Sequence, residues 1–374
     1  MVSVDLADLV AEVPLVDHHV HGALRDPQEL AAFEAVITES DRPSAPGVSS
    51  FDSPVGFALL RFCAPLLDLE GEVSGADYIA RRLALGPEEV NQRLLRASGI
   101  ATYLIDTGFN SEGLLGLEEM AVTAQAQTYE VVRLEAIAQR LLDEEVAPAA
   151  FADALASELE VARRRGAVGT KSVLAYRAGF DIDTIRPDTV ALARAVERQR
   201  ARTTRVDEPV LLAYLLWAGI DAGIPLQIHC GFGDTDLTLH RANPSLLTPF
   251  LRASESVGTP VVLLHCYPYH REAGYLAQMF PHVYFDIGET VNYAGAQSAQ
   301  VVAESFALAP FAKQLFSSDA WGPAELHLLG ATLWRRATTR VLGQWVAEGD
   351  WSEAQARRVV EMVAGENARR LYQL

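Results

Sequence analysis

The sequence predicts one α/β domain, a (β/α)8 barrel of the TIM type with a helical insertion after its first strand. Three observations carry this expectation. Eight short apolar or β-branched runs recur along 374 residues, helix-period segments rich in Ala, Leu, Glu and Arg separate most of them, and no Gly-x-Gly-x-x-Gly turn follows the first run. Each parallel step needs a crossover helix, and a doubly wound open sheet that binds a dinucleotide would carry that glycine-rich turn.

In chain order the runs are PLVDHHVH (14–21), ATYLIDTGF (101–109), EVVRLEAI (130–137), AVGTKSVLAY (167–176), PLQIHCGF (225–232), PVVLLHCYP (260–268), HVYFDIGE (282–289) and KQLFSSDAWG (313–322). Helical periodicity marks 138–164, 187–221, 245–257 and 297–309 between them. Residues 23–100 are too many for a simple crossover, and they hold FDSPVGFALLRFCAPLLDL and ADYIARRLALGPEEVNQRLLRASG about a Gly/Ser break. In a barrel this first βα loop opens on the C-terminal face, where active sites sit, so the insertion is expected to cap the site. No internal repeat or low-complexity linker divides the chain, so residues 1–374 are expected to form a single domain.

Composition excludes several classes of function. A net charge of −18 repels phosphate backbones and anionic lipid, so nucleic acid and membrane are not expected partners. No apolar run approaches the roughly 20 residues that span a bilayer. The opening MVSVDLADLVAEVPLVD has acids where a secretory leader has a basic region, so a cytoplasmic location is expected. Cys63, Cys230 and Cys266 are too few and too scattered for a disulfide framework or a cysteine zinc site, and they read as small apolar fillers. The expected partner is a small-molecule substrate, with self-association into a homo-oligomer left open.

The chemistry gathers at strand ends. In the first run, alternation places Asp17, His19 and His21 on one face and His18 on the other. His229 ends the fifth run and His265 the sixth, so four of nine histidines fall on one rim. Asp319 follows the apolar start of the eighth run, where a buried carboxylate needs a partner that a cation can supply. The chain has only two lysines, Lys171 and Lys313, and Lys171 lies mid-strand in the fourth run. Burial lowers a lysine's pKa and leaves a neutral amine, which takes up CO2 to form a carbamate able to bridge two metals.

These elements, in this order, resemble the amidohydrolase superfamily: Asp17-x-His19-x-His21, a lysine on the fourth strand, histidines ending the fifth and sixth, and Asp319 on the eighth. More narrowly, the chain is similar to the amidohydrolase domain of the fungal FluG and plant nodulin type, sometimes fused to glutamine synthetase. That similarity rests on QIHCGFGDTDL from Gln227, Arg241-Ala-Asn-Pro, LHCYPYHREAGY from Leu264, Lys171-Ser-Val-Leu-Ala-Tyr-Arg177 and the closing ENARRLY from Glu366. No synthetase sequence follows Leu374, so no fused function is expected. The resemblance implies one metal on His19, His21 and Asp319, and a carboxylated Lys171 bridging to a second on His229 and His265. The site would hold one or two divalent ions, with zinc the first expectation for such ligands and manganese or iron the alternatives.

The expected reaction is hydrolysis of an amide or ester by a metal-bound hydroxide. Asp319 would serve as general base and then acid, and His265, if free of metal, would polarise the carbonyl. Arg133, Arg177 and Arg271 are expected near the mouth, where guanidinium forks suit a carboxylate-bearing substrate such as a γ-glutamyl or N-acyl amino acid amide. Arg133 and Glu135 share a predicted strand face and are as well placed for a structural ion pair. Asp234 lies in an acidic loop suited to an amine or to a simple turn, and Tyr176, Tyr267, Glu289, Asn292 and Trp321 are further lining candidates. A decarboxylase or a sugar-acid isomerase on the same barrel is the rival enzyme class, and a non-catalytic ligand-binding relative is the third alternative.

Overall fold

The computed structural model describes residues 4–109, 112–202 and 205–374. Seven parallel strands run side by side in sequence order: β1 (Leu15–Val20), β2 (Ile100–Asp106), β3 (Gln127–Arg133), β4 (Gly169–Ser172), β5 (Leu226–Cys230), β6 (Val261–His265) and β7 (Val283–Phe285). Helices cover the outside, so the architecture is a TIM-barrel-like α/β fold. β4, β5 and β6 are buried at every residue, as a parallel sheet under helices requires.

The expected eighth strand is the first correction. Residues 314–322 form no regular strand, yet they bond on both sides. Leu315 N–H donates to Phe285 O on the β7 side, while His18 N–H donates to Phe316 O and Asp319 N–H to His19 O on the β1 side. A turn of 3-10 helix at Phe311–Lys313 delays the segment, and Asp319 adopts φ 48°, which breaks an extended ladder. The ring of backbone bonds therefore closes through an irregular segment.

The expected alternation in β1 is the second correction. Its pairing with β2 shifts register between Asp17 and Val20, so successive side chains do not simply alternate. His18 bonds Asp286 and Tyr372, Asp17 turns to Ser318, and His19 and His21 reach the cluster at the strand ends. Val16, Leu104, Val131, Val262, Leu264 and Leu315 pack with Leu371 and Tyr372, so the C-terminal helix Asn367–Tyr372 stops the inner core.

Between β1 and β2 lie helices Leu30–Val36, Pro54–Phe62, Gly75–Leu85 and Pro87–Ala97. Ser74 and Asp77 form a capping box on the third, and Gly86 at φ 81° ends it where Pro87 starts the fourth. Arg82 pairs with Glu325 in full burial, and Tyr78 donates to the same carboxylate. This network anchors the third helix to the long helix Ala324–Glu348. Among the described residues, no helix is long and apolar enough to cross a membrane.

Candidate metal centre

Strand ends β1, β4, β5 and β6 and the 314–322 segment deliver His19, His21, Lys171, His229, His265 and Asp319 to one place. His19 Nε2 lies 3.2 Å and His21 Nε2 3.8 Å from Asp319 Oδ1, and His265 Nε2 lies 3.1 Å from Asp319 Oδ2. The His229 and His265 ring centres are 4.8 Å apart. Lys171 Nζ is 2.9 Å from His19 Nε2 and is buried among these groups. Two sets of donor atoms are close enough to share an ion: His19, His265 and Asp319, and His19, His21 and Asp106.

Supporting contacts fix the donor atoms. His19 Nδ1 donates to Gln227 Oε1 at 2.7 Å, which leaves its Nε2 with a lone pair facing Lys171 and Asp319. Gln227 is itself oriented, since its Nε2 donates to His18 O and to the Tyr372 hydroxyl. His21 Nδ1 donates to Asp106 O at 3.2 Å, which similarly frees its Nε2. Asp286 accepts from the His18 ring and from the backbone of His265 and Gly288. Contacts of this kind set tautomer and ring orientation in histidine metal sites. Gln227→Leu is therefore expected to weaken divalent-metal binding by about 10- to 100-fold, measured by competition with a chelating dye. Unchanged affinity would mean that the Gln227 contact does not orient His19.

Burial governs the electrostatics. It drives His19, His229 and His265 well below the usual histidine range, helped by neighbouring positive groups, so these rings are neutral. It also lowers the Lys171 amine, against the pull of Asp319 and Asp106. Asp319 is pushed up to about 6 by burial, opposed by His21 and Lys171. Asp106 falls well below the carboxylate range despite burial, because Arg133 clamps its Oδ2 with two hydrogen bonds. Three of the rim residues, His265, Cys266 and Asp319, hold a left-handed backbone at φ 64°, 64° and 48°.

A cavity of about 670 Å³ opens over the cluster. Its wall includes Arg133, Tyr176, Arg177, Asp234 and Trp321, together with Glu39 from the segment between β1 and β2. Tyr176 packs on His229 with ring centres 4.5 Å apart, and Trp321 stands edge-on to Phe109. Four expected lining residues are not on this wall: Glu289 and Asn292 are buried behind it, with Asn292 Nδ2 donating to Ser318 O, and two others lie elsewhere. Arg271 is exposed and pairs with Glu304, while Tyr267 stacks on His270 outside the cavity. The Arg133–Glu135 pair also fails to form. β3 ends at Arg133, so Glu135 lies in the first turn of a helix, where it accepts from Ser172 Oγ and Val173 N.

Asp106 and Asp286 were not singled out from the sequence. Both follow apolar runs at strand ends, the same signal that marks Asp319. Gln227 stood in a quoted motif without a role, and Glu39 carried no sequence signal.

The amidohydrolase family model matches residues 139–374, well over half of the chain. The chain belongs to the amidohydrolase family. This amidohydrolase is 28% identical over 413 aligned positions to Protein fluG of Emericella nidulans, an alignment covering 99% of the chain and 47% of that protein. The chain thus spans about half the length of the curated relative it matches. A crystal structure from Lactobacillus casei, provisionally named a metal-dependent hydrolase, is similar at 29% identity and TM-score 0.88, covering 98% of this amidohydrolase and 97% of that chain. Uronate isomerase from Thermotoga maritima aligns with TM-score 0.65 at 15% identity, covering 99% and 96% of the two chains. The Bacillus halodurans uronate isomerase aligns at 0.67 and 13%, covering 98% and 95%. At those identities the likeness is one of fold.

Proposed function

We propose that this chain is a metal-dependent hydrolase that cleaves an amide or ester bond of a small molecule, with γ-glutamyl compounds and N-acyl amino acid amides as the first candidates. One observation carries the reading. His229 Nε2 and both ring nitrogens of His265 are buried without a hydrogen bond, although His265 Nε2 lies 3.1 Å from an Asp319 oxygen. Orphaned buried imidazole nitrogens are costly, and a shared divalent cation would satisfy them together with the carboxylate.

His19, His21 and Asp319 would hold one ion. His229 and His265 would hold a second, with Lys171 as a further ligand if its amine adds to CO2 with loss of a proton to give a carbamate. Nitrogen and oxygen donors suit zinc first, and manganese or iron after it. When bound, such an ion lowers the pKa of a water towards about 7 and polarises a carbonyl.

The chain's own residues would do the rest. Asp319 would take the proton of the attacking water and return it to the departing nitrogen or oxygen. His265, where it is not a ligand, would polarise the carbonyl oxygen. Arg177 is the carboxylate receptor of choice, because its guanidinium is partly buried, lines the cavity and leaves Nε without a partner. Residues 38–43, which line the mouth, would act as a cap that excludes water.

Elemental analysis combined with a substrate panel tests the proposal. Stoichiometric divalent metal is expected, with amide turnover that chelation removes and metal restores. Metal-free protein, or a panel in which sugar acids isomerise or aromatic acids lose CO2 while amides stay intact, would overturn it.

A further inference from the structure

A second cavity of about 640 Å³ lies apart from the metal cluster and shares no lining residue with the cavity over it. Its walls are the helices Pro54–Phe62 and Ala324–Glu348 and residues 294–299, which lead into the helix Ser298–Ser305. Gly295 lets these elements meet. It sits at φ 52°, and a Cβ there would come within 2.6 Å of Pro54 O. Much of the lining is apolar, with Pro54, Ala58, Phe62, Leu333 and Ala337 contributing and Phe57 left 63% exposed.

Three guanidinium groups converge on this lining. Arg61 comes from the first helix, one turn after Phe57, and Arg336 and Arg340 are one turn apart on the second. Arginines elsewhere in this acidic chain commonly close ion pairs, as Arg140 does with Glu158 and Arg186 with Asp221. Arg61, Arg336 and Arg340 have neither an ion pair nor a side-chain hydrogen bond among the described residues. Asp52 is the one carboxylate on the wall among the described residues, and it pairs with none of the three. Three guanidinium groups against one carboxylate leave an excess of two positive charges, in a protein whose net charge is −18. Like charges one helical turn apart repel, and a bound anion relieves that repulsion. Phe62 holds one of the three in place, since Arg336 Cζ lies over its ring at 5.1 Å.

We propose that this cavity binds an aromatic phosphate monoester, with its phosphate on Arg61, Arg336 and Arg340 and its ring against Phe57 and Leu333. The charge matches, since a phosphate monoester carries about −1.5 to −2 at neutral pH. A single carboxylate would neutralise only half of the excess. Guanidinium forks suit the phosphate oxygens in pairs. The volume admits a ring as well as the phosphate, because small-molecule pockets span roughly 300–1,000 Å³. No residue of the metal cluster takes part, so the site is independent of the hydrolase reading.

Calorimetric titration of the metal-loaded protein tests this with phenyl phosphate and adenosine monophosphate. Phenol, adenosine and inorganic phosphate are the matched controls. At least one aromatic monophosphate is expected to bind one-to-one, more tightly than its neutral counterpart and than inorganic phosphate by about tenfold or more. R336Q and R340Q should each weaken it by about tenfold or more at unchanged metal content, the loss that one charge-assisted contact implies. F57A should remove the margin over inorganic phosphate. If either arginine variant does not fold by circular dichroism, R61Q on the other helix carries the comparison. Absence of binding by both monophosphates, or equal binding of inorganic phosphate, overturns the site. Binding that survives the arginine variants, as an anion held on the metal cluster would, also overturns it, and so does a margin that survives F57A.

Discussion

His19→Ala is expected to strip the protein of stoichiometric divalent metal and to lower amide hydrolysis by roughly three orders of magnitude or more. His19 is the one residue common to both sets of donor atoms that can share an ion. Its Nε2 lies 2.9 Å from Lys171 Nζ and 3.2 Å from Asp319 Oδ1, while Gln227 locks its Nδ1. Losing an outer contact typically costs about 10- to 100-fold in metal affinity or activity, and losing the donor itself costs more. Elemental analysis and turnover on the same preparation measure the effect. Full metal occupancy in the variant would show that the cluster is not organised about His19.

Asp319→Asn should lower kcat by about 10²- to 10⁴-fold, the range for removing a general acid–base group. The side chain keeps its size, so the loss reports charge and proton transfer more than packing. Its pH profile gives a separate signature. As the proposed base, Asp319 would act when deprotonated, so wild-type activity should rise with pH through its ionisation. That carboxyl is held at about 6 by burial, and a bound cation draws it lower. The acid limb should disappear in the amide variant. An unchanged pH profile with small loss of kcat would remove Asp319 from the proton path and leave it a ligand alone.

Most of the barrel was legible because strand ends announce themselves: each of His229 and His265 closes a short apolar run, and period and position agree. The parts that escaped did so for local reasons. Strict alternation misassigned Asp17 and His18, because a register shift inside β1 leaves no trace in side-chain polarity. Glu135 was read as strand because VVRLEAI continues apolar past Arg133, where the helix Leu134–Asp143 has begun. Arg271 and Tyr267 were placed at the mouth by proximity to His265, but the chain turns away after Cys266 and seats them on the helix His270–Met279 and its approach. Glu39 could not be found at all. Its role depends on where a long excursion folds back, and no periodicity encodes that.

The left-handed backbone at His265, Cys266 and Asp319 has a consequence for anyone who would harden this protein against heat. A non-glycine residue in that conformation costs about 1–2 kcal/mol relative to an ordinary one. Glycine would relieve it, yet at His265 and Asp319 glycine erases side chains that build the cluster at the strand ends. The usual route of easing unfavourable torsions is thus closed at the rim. Thermal resilience has to be sought in the outer helices and loops, far from the strand ends.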